Sequence, residues 1–569
     1  MTGGEAVVRM LSAYGVEFAF GMGGFQALPY YDALARQETV RHILIRDERN
    51  GAFAADGYAR VRNRPAVADA TLGPGATNLI SGLAESFGAS IPMIALTGEV
   101  NSAISGRGAT QESDQWSMLK PTCKGSISIT RSDRIPELMR RAFSIANGGR
   151  PGPVNVNIPE DVFHAQVEIL ESEFHVNPGS EVVCGRRIRP DSSLVDKAVD
   201  LLRSAAAPVI LAGGGVHLSA AYEELRRLVD VTGIPVATTI SGKGSIAEDH
   251  DLALGICGRY SRCANSFIEE ADALLVVGCK LGEIATSRWS LVSATTRVVH
   301  VDIDPGEIGH VYTPAVGIWG DAKLTLSDLA DALEGEVRTL GPRKPRLLGK
   351  VGAMKSKWLA TALPSYRSRE TPVHMARLLH DLRAVMPAES ILVADGGFAA
   401  HWSALFYDVT APGRTYIANR GHAAIGYGLA GAIGAKLAAP ERPVIALCGD
   451  NGFAMAVTEL ETAKRAGAPV ICVVVNNLAL GYVKALQHGM YGGRFISVDF
   501  EDVDYVAIAR ALGCNGRRVD SPDDLAPVFA DALAEQMDAP FVVDVRTTTD
   551  PAAMLPGIDT RILRAKVSS

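Results

Sequence analysis

Short apolar runs of strand length alternate along this chain with longer stretches whose apolar positions recur at helical spacing. VEFAFG, RPAVADATLG and PMIALTG read as buried strands in the first third, which closes near GPVNVNIPEDV. APVILAGGGV, IPVATTI, ADALLVVG and TRVVHVDID repeat the rhythm from about residue 190 to 335. SILVADGG, PVIALCGD, APVICVVVNN and APFVVDV repeat it again toward the C-terminus. Strands without polar alternation, each followed by a helix, belong to parallel sheets, because a parallel pair needs a crossover and the crossover helices cover both faces. The expected class is α/β, with three doubly wound parallel-sheet domains over residues 1–170, 190–335 and 369–550. The first and third share a comparable strand rhythm. Between the last two, RTLGPRKPRLLGKVGAMKSK is basic and rich in proline and glycine, and reads as part of a solvated linker over 336–368. Residues 551–569 form either a surface tail or a lid over the active-site entrance.

Composition narrows the class further. A chain of 569 residues is too long for one core. Its 47% hydrophobic and 21% charged residues describe a well-cored globular protein, and a net charge of -7 leaves no cationic excess for nucleic acid. The eight cysteines include no CxxC pair, so they read as reduced thiols, without a zinc site or a disulfide framework. No apolar run reaches bilayer length, and MTGGEAVVRMLSAYG has no basic region ahead of an apolar core. The expectation is a cytoplasmic protein that works away from membranes.

The chemistry concentrates in CGDNGFAMAVTELETAKRAGAPVICVVVNN. One buried strand ends in Gly449 and Asp450, the next in Asn476 and Asn477, and ligands of open parallel sheets bind at the carboxyl ends of strands. The helix-like run beside the first turn offers backbone N–H groups to an anion such as phosphate. A carboxylate, an amide oxygen and phosphate oxygens form an oxygen-only shell, which suits magnesium better than zinc or copper. The residues point to a magnesium-bound diphosphate. The bland alternative makes Asp450 a helix N-cap and the asparagines turn formers.

The step of 27 residues from Asp450 to Asn477 resembles the thiamine-diphosphate signature, a GDG turn followed by two asparagines, with Asn451 in place of the usual glycine. Asparagine tolerates left-handed backbone, so the turn survives the change. The resemblance implies that Asp450, Asn477 and the Ala479 carbonyl ligate the metal, that Gly449, Asn451 and Gly452 border the diphosphate, and that Asn476 is structural. It also implies a glutamate from the N-terminal domain, matched in IRDERNGAFAADGYAR by Glu48. A carboxyl on a mostly apolar wall shares a proton with a ring nitrogen rather than standing as a free anion, which favours the imino form of the aminopyrimidine.

Further segments are similar to the acetolactate synthase-like branch. FGMGGFQALPYYDAL supplies Gly24; TLGPGATN supplies Thr71, Pro74 and Asn78; GRGATQESDQ points to Gln111 as an active-site residue. RGHAAIGYGLAGAIGA resembles the loop that bends the cofactor, with Ile425 as the wedge and the Ala423 carbonyl as acceptor of the amino group. ADGGFAAHW adds backbone contacts at Gly397, Phe398 and Ala399, but lacks the glutamine and histidine that acetolactate synthases often carry there. By this resemblance the domains are pyrimidine-binding, middle and diphosphate-binding. Glu48 and Asp450 come from different subunits, which makes a homodimer at least and a homotetramer by preference.

The middle segments LAGGGV, TTISGKGS, LGICGRY, GCKLGE and HVDIDPGEIG are similar both to the FAD-binding domain of acetolactate synthases and to the ADP-binding domain of relatives such as oxalyl-CoA decarboxylase. Lys280 stands where flavin-binding members often have arginine. Three functions follow. The first is thiamine-diphosphate- and magnesium-dependent cleavage or formation of a C–C bond on a 2-oxo acid or related ketone or acyloin. The second acts on a 2-hydroxyacyl-CoA or oxalyl-CoA, with Arg414 and Arg420 as the basic residues at the pocket mouth. The third is a non-catalytic regulatory or scaffold descendant. Phe25 replaces the alanine usual in acetolactate synthases and His422 a leucine-like residue, so Phe25 and His422 either shape the donor and acceptor site or, respectively, pack into the core and touch only backbone.

Overall fold

The computed structural model describes residues 1–335, 343–535 and 538–557. Three six-stranded, all-parallel sheets flanked by helices make up the chain. The N-terminal sheet holds β1 (Phe18–Met22), β2 (Arg41–Leu44), β3 (Ala66–Ala70), β4 (Met93–Glu99), β5 (Gly125–Ser128) and β6 (Pro153–Pro159). The middle sheet holds β7 (Pro208–Ala212), β8 (Val236–Thr238), β9 (Ala253–Ile256), β10 (Ala273–Val277), β11 (Arg297–Asp302) and β12 (Val316–Trp319). The C-terminal sheet holds β13 (Ile391–Ala394), β14 (Tyr416–Ala418), β15 (Val444–Gly449), β16 (Ile471–Asn476), β17 (Asn515–Val519) and β18 (Phe541–Arg546).

The first and third sheets have the same strand order, β2-β1-β3-β4-β6-β5 and β14-β13-β15-β16-β18-β17. They are joined by two corresponding helices, each following the second strand of its domain. Glu48–Arg62 and Tyr427–Ala438 pack backbone to backbone through small residues. Tyr427 donates to Asp56 Oδ1 at 2.6 Å, and the Phe53 and Tyr427 rings meet edge to face at 5.4 Å. The core around this helix pair runs without a break between the two domains. The middle sheet, β12-β11-β10-β7-β8-β9, reverses direction of progression between β7 and β10, the doubly wound order associated with dinucleotide binding.

The basic stretch read as a solvated linker is corrected in its larger part. Arg343–Tyr366 is a helix of 24 residues, with Leu347, Val351, Ala362 and Tyr366 buried along one face. Pro345 falls in the first turn, where backbone N–H groups have no helical acceptor, so it does not oppose the helix. The remaining linker residues 336–342 lie outside the described residues. At the other end, Trp402 Nε1 donates to the buried Met554 carbonyl at 3.0 Å, while 558–569 of the expected tail or lid also lie outside the described residues. Among the described residues no helix is long and apolar enough to cross a membrane.

Candidate active site

The C-terminal domain gathers its chemistry at the ends of β13, β15 and β16, which are neighbours in the sheet. β15 runs into the helix Asp450–Ala456, whose N-cap is Gly449 with no side-chain cap, and a Cβ on Gly449 would meet nothing within 4 Å. Asp450 is 3% exposed; its Oδ1 accepts from the Asn451 N–H at 2.7 Å, and its buried Oδ2 has no hydrogen-bond partner. Burial pushes the Asp450 carboxyl up to about 6, against the pull of the nearby N–H groups of Asn451, Ala479, Leu478 and Asn477. Asn477 Oδ1 accepts from the Ala479 N–H at 3.2 Å, and Leu478 between them is left-handed at φ 56. Gly481 permits the turn, since a Cβ there would lie 2.5 Å from Asn477 Nδ2 and 3.0 Å from the Phe398 ring. Asn476 turns away to Asp544 Oδ1 at 2.9 Å and Arg546 Nη1 at 3.1 Å.

These residues fit a diphosphate carried by a hard cation. The orphaned Asp450 oxygen, the Asn477 amide oxygen and the Ala479 carbonyl are all oxygen donors. Among the described residues no group of three or more His, Cys, Asp or Glu could hold a metal ion; the donor set here is one carboxylate with an amide and a carbonyl oxygen. A second uncapped helix, Phe398–Phe406, begins at Gly397, which has φ 69 and open space where a Cβ would stand. Its first-turn N–H groups, from Phe398 and Ala399, have no intrahelical acceptor.

Between β14 and its helix lies the loop of His422, Ala423 and Ile425. Ala423 is left-handed at φ 59, and Gly396 is a glycine because a Cβ would stand 2.7 Å from the Ala423 carbonyl oxygen. Asp395, which the sequence reading missed, accepts from Gly396 N at 2.7 Å, Gly426 N at 3.1 Å and Tyr427 N at 3.0 Å. A Cβ on Gly452 would sit 2.0 Å from Asp395 Oδ2, so the first turn of the helix Asp450–Ala456 also packs directly against this carboxylate. Its burial pushes its carboxyl up to about 6. Asp395 stands in a DGG turn, where a carboxylate at the end of a buried strand was the available signal.

The N-terminal domain assembles a second group. Glu48 opens its helix behind the Asp47 cap and is 3% exposed, not a surface residue. Its Oε2 accepts from Asn78 Nδ2 at 3.1 Å, and a Cβ on Gly75 would lie 2.9 Å from its Oε1. Pro74 starts the short helix that carries Asn78. Gly24 lies against Thr71, whose hydroxyl donates to Gln26 Oε1 at 2.9 Å. Gly73, at φ 64, lies against the carbonyl of Gln111, so the two predicted loops meet; the Gln111 side chain is exposed. Gln115, also missed, accepts from Gly73 N at 2.9 Å and donates to Gly98 O at 2.6 Å. Phe25 is 53% exposed, which overturns the reading that buries it in the core. Among the described residues no hydrogen bond or ion pair joins Glu48 to Asp450 or Asn477 in the single chain; Arg49 and Asn50 instead reach Met455 O and Glu459 Oε1.

A cavity of about 450 Å³ opens at the switch point between β7 and β10. Its walls include Gly215, Lys280 and Asp302 of the middle domain, Gly88 of the N-terminal domain, and Arg420 and His422 of the C-terminal domain. Lys280 donates to Gly88 O at 2.6 Å and burial pushes it down to about 8, while burial pushes the Asp302 carboxyl up to about 6. Arg414, expected at a pocket mouth in the thioester reading, is enclosed beside Tyr222, and burial pushes its guanidinium down to about 10.

Three family descriptions match in chain order: thiamine pyrophosphate enzyme, N-terminal TPP binding domain, over residues 1–118; central domain, over 195–329; and C-terminal TPP binding domain, over 395–545. The chain is 35% identical to a probable acetolactate synthase large subunit of Methanococcus aeolicus and 36% identical to one of Methanocaldococcus jannaschii, each over 98% of this chain and 93% of the relative. It is 34% identical to the acetolactate synthase large subunit of Corynebacterium glutamicum over 96% of this chain and 86% of the relative.

Proposed function

The chain belongs to the thiamine-pyrophosphate-dependent, acetolactate synthase-like enzymes, and from that premise we propose that it makes or breaks a C–C bond beside a carbonyl, with a 2-oxo acid or related ketone as donor and magnesium as its metal. The observation that carries the reading is the buried, unpartnered Asp450 Oδ2 beside Asn477 and Ala479. Thiamine diphosphate, when bound, supplies the carbanion nucleophile and the electron sink. Asp450, the Asn477 amide and the Ala479 carbonyl hold the metal. The N–H groups around Gly397–Ala399 and Gly449–Gly452 face the diphosphate. Glu48 holds the proton at the aminopyrimidine ring nitrogen, kept in place by Asn78. The Ala423 carbonyl would accept from the amino group, and Ile425 would be the wedge that holds the cofactor bent. Gln111, His422 and the exposed Phe25 border the reacting centre and select its partners.

As the family resemblance implies, Glu48 and the Asp450 group of one site come from different subunits, so a second copy completes each site, giving a homodimer at least and a tetramer as a pair of dimers. Apolar Phe25, Leu28 and Met455, all exposed in the single chain, suit that contact. The middle-domain cavity suits an adenine nucleotide such as FAD or ADP. The eight free cysteines suit a reducing cytoplasm. The test is a panel of 2-oxo acids, aldehydes and 2-hydroxyacyl-CoA thioesters with thiamine diphosphate and magnesium. Products from 2-oxo acids support the reading, turnover of thioesters alone replaces it, and inactivity of the cofactor-loaded protein on the whole panel refutes it.

A further inference from the structure

Glu85 is a fully buried carboxylate on the N-terminal-domain helix Ile80–Ala89, and most of its hydrogen bonds leave its own domain. Its Oε1 accepts from Gly421 N at 2.9 Å; its Oε2 accepts from His422 N at 2.6 Å and Ala423 N at 3.0 Å. Three successive backbone N–H groups converging on one anion form a nest, a cradle that the loop backbone keeps only while the anion is there. Arg60 Nη2 donates to Oε1 at 2.9 Å and is itself held by Asp56, which also accepts from Tyr427. The charge is thereby fixed from behind as well as from the loop.

The loop is pressed onto the same helix. A Cβ on Gly421 would lie 2.0 Å from the Glu85 carbonyl oxygen, and a Cβ on Gly88 would lie 2.4 Å from the Gly421 carbonyl oxygen. At the end of the nest stands Ala423 at φ 59, a conformation that alanine adopts reluctantly. Asp395 holds the far side of the loop at Gly426 and Tyr427, so the segment with Ala423 and Ile425 is suspended between two carboxylates of different domains.

We propose that Glu85 is a positioning residue for the cofactor. By holding the 421–423 N–H groups it keeps Ala423 left-handed, which aims the Ala423 carbonyl and sets Ile425, so that the N-terminal domain tunes the thiamine diphosphate affinity of the C-terminal domain of the same chain. This rests on the reading of Ala423 and Ile425 as cofactor-holding residues. Loss of the clamp lets Ala423 relax to ordinary backbone, and affinity falls with the population of the competent loop.

The experiment titrates thiamine diphosphate with magnesium into full-length apoprotein by calorimetry and follows hydrogen exchange of the amides of 420–427. The variants are Glu85→Gln, Ala423→Gly, their combination, and Ile425→Ala. Glu85→Gln is expected to raise Kd about ten-fold and to speed exchange at 421–423; Ala423→Gly in that background returns Kd to within about three-fold of wild type, because glycine adopts the left-handed conformation freely. Glu85→Asp keeps the charge beside Arg60 and withdraws it from the loop by one methylene. It carries the test, with the same expected rise, if the glutamine variant does not fold. Kd within two-fold of wild type in the Glu85 variants, with binding weakened by Ile425→Ala, overturns the proposal and leaves the loop reading standing. Unchanged binding in Ile425→Ala overturns the loop reading and the proposal with it. A Kd rise that Ala423→Gly does not relieve, with a lower melting temperature of the apoprotein, makes Glu85 domain glue and also overturns the proposal.

Discussion

Gly434→Ala should destabilise this protein, whereas Gly349→Ala should stabilise it, although both exchange a helical glycine for the best helix former. A Cβ at 434 would stand 1.8 Å from the Ala54 carbonyl oxygen on the facing helix, while one at 349 meets nothing within 4 Å. Real contacts at a Cβ do not fall below 3.0 Å, so the helices Glu48–Arg62 and Tyr427–Ala438 must part by roughly 1.2 Å, the difference between those two distances. The obstacle is backbone in a helix of the opposite domain, not the movable end of a side chain. Overpacking of this kind costs about 1–3 kcal/mol, and the separation also loosens the Asp56–Tyr427 bond and the Phe53–Tyr427 contact. The helix-propensity gain of about 1 kcal/mol offsets only part of that at 434, but it acts alone at 349. Urea denaturation of the apoprotein, followed by circular dichroism, reads the difference as midpoints shifted in opposite directions. Gly57→Ala, with its Cβ 2.1 Å from the Gly431 carbonyl oxygen, should behave like Gly434→Ala. Midpoints of all three variants moving upward together would refute the close backbone contact of the two helices.

Other outcomes are equally specific. Glu48→Gln keeps the side-chain shape without the acid, so thiamine diphosphate should bind while NMR-detected exchange of its C2 hydrogen slows by about 10²–10⁴; exchange at the wild-type rate would exclude Glu48 as the proton holder. The Asp302 carboxyl is raised from 3.8 to about 6 in the fold, so its contribution to stability is complete below about 3.8 and lost as pH rises through about 6. Asp302→Asn should therefore gain on the wild type by up to about 3 kcal/mol between pH 4 and 7 and run parallel above, and a constant offset across that range would contradict the assignment. Phe25→Ala should widen the range of acceptors in mixed carboligation while the wild type remains poor at condensing two pyruvates; efficient acetolactate synthesis by the wild type with an unchanged range in the variant would remove Phe25 from the site.

The interior of each sheet was legible because its strands are continuous apolar runs: VICVVVNN can hardly be anything but a strand buried on both faces. The strands that escaped notice are the sheet edges. Arg41–Leu44 and Gly125–Ser128 are short and half solvated, Asn515–Val519 reads NGRRV, and Tyr416–Ala418 has three residues, so none carries a periodic signal. In Arg343–Tyr366 the prolines and glycines of the composition masked a helical face of Leu347, Val351, Ala362 and Tyr366. At the site, Asp450 and Asn477 could be named because they follow buried strands 27 residues apart, whereas Glu48 was named only through the family resemblance. Asp395, Gln115 and Glu85 act by accepting or donating hydrogen bonds at backbone groups of loops remote in sequence, and no local pattern announces such a bond.

The measurement that bears most directly on the account is calorimetric titration of thiamine diphosphate with magnesium into the wild type and Asp450→Ala. The substitution removes the unpartnered Oδ2 and one local Oδ1 bond to the Asn451 N–H, and takes an anionic ligand from the cation. The account predicts a folded apoprotein whose melting temperature at pH 7 is no lower than that of the wild type, because a carboxyl raised to about 6 by burial costs stability when ionised, and an affinity lowered by more than about 100-fold. Binding by Asp450→Ala as tight as that of the wild type would contradict it.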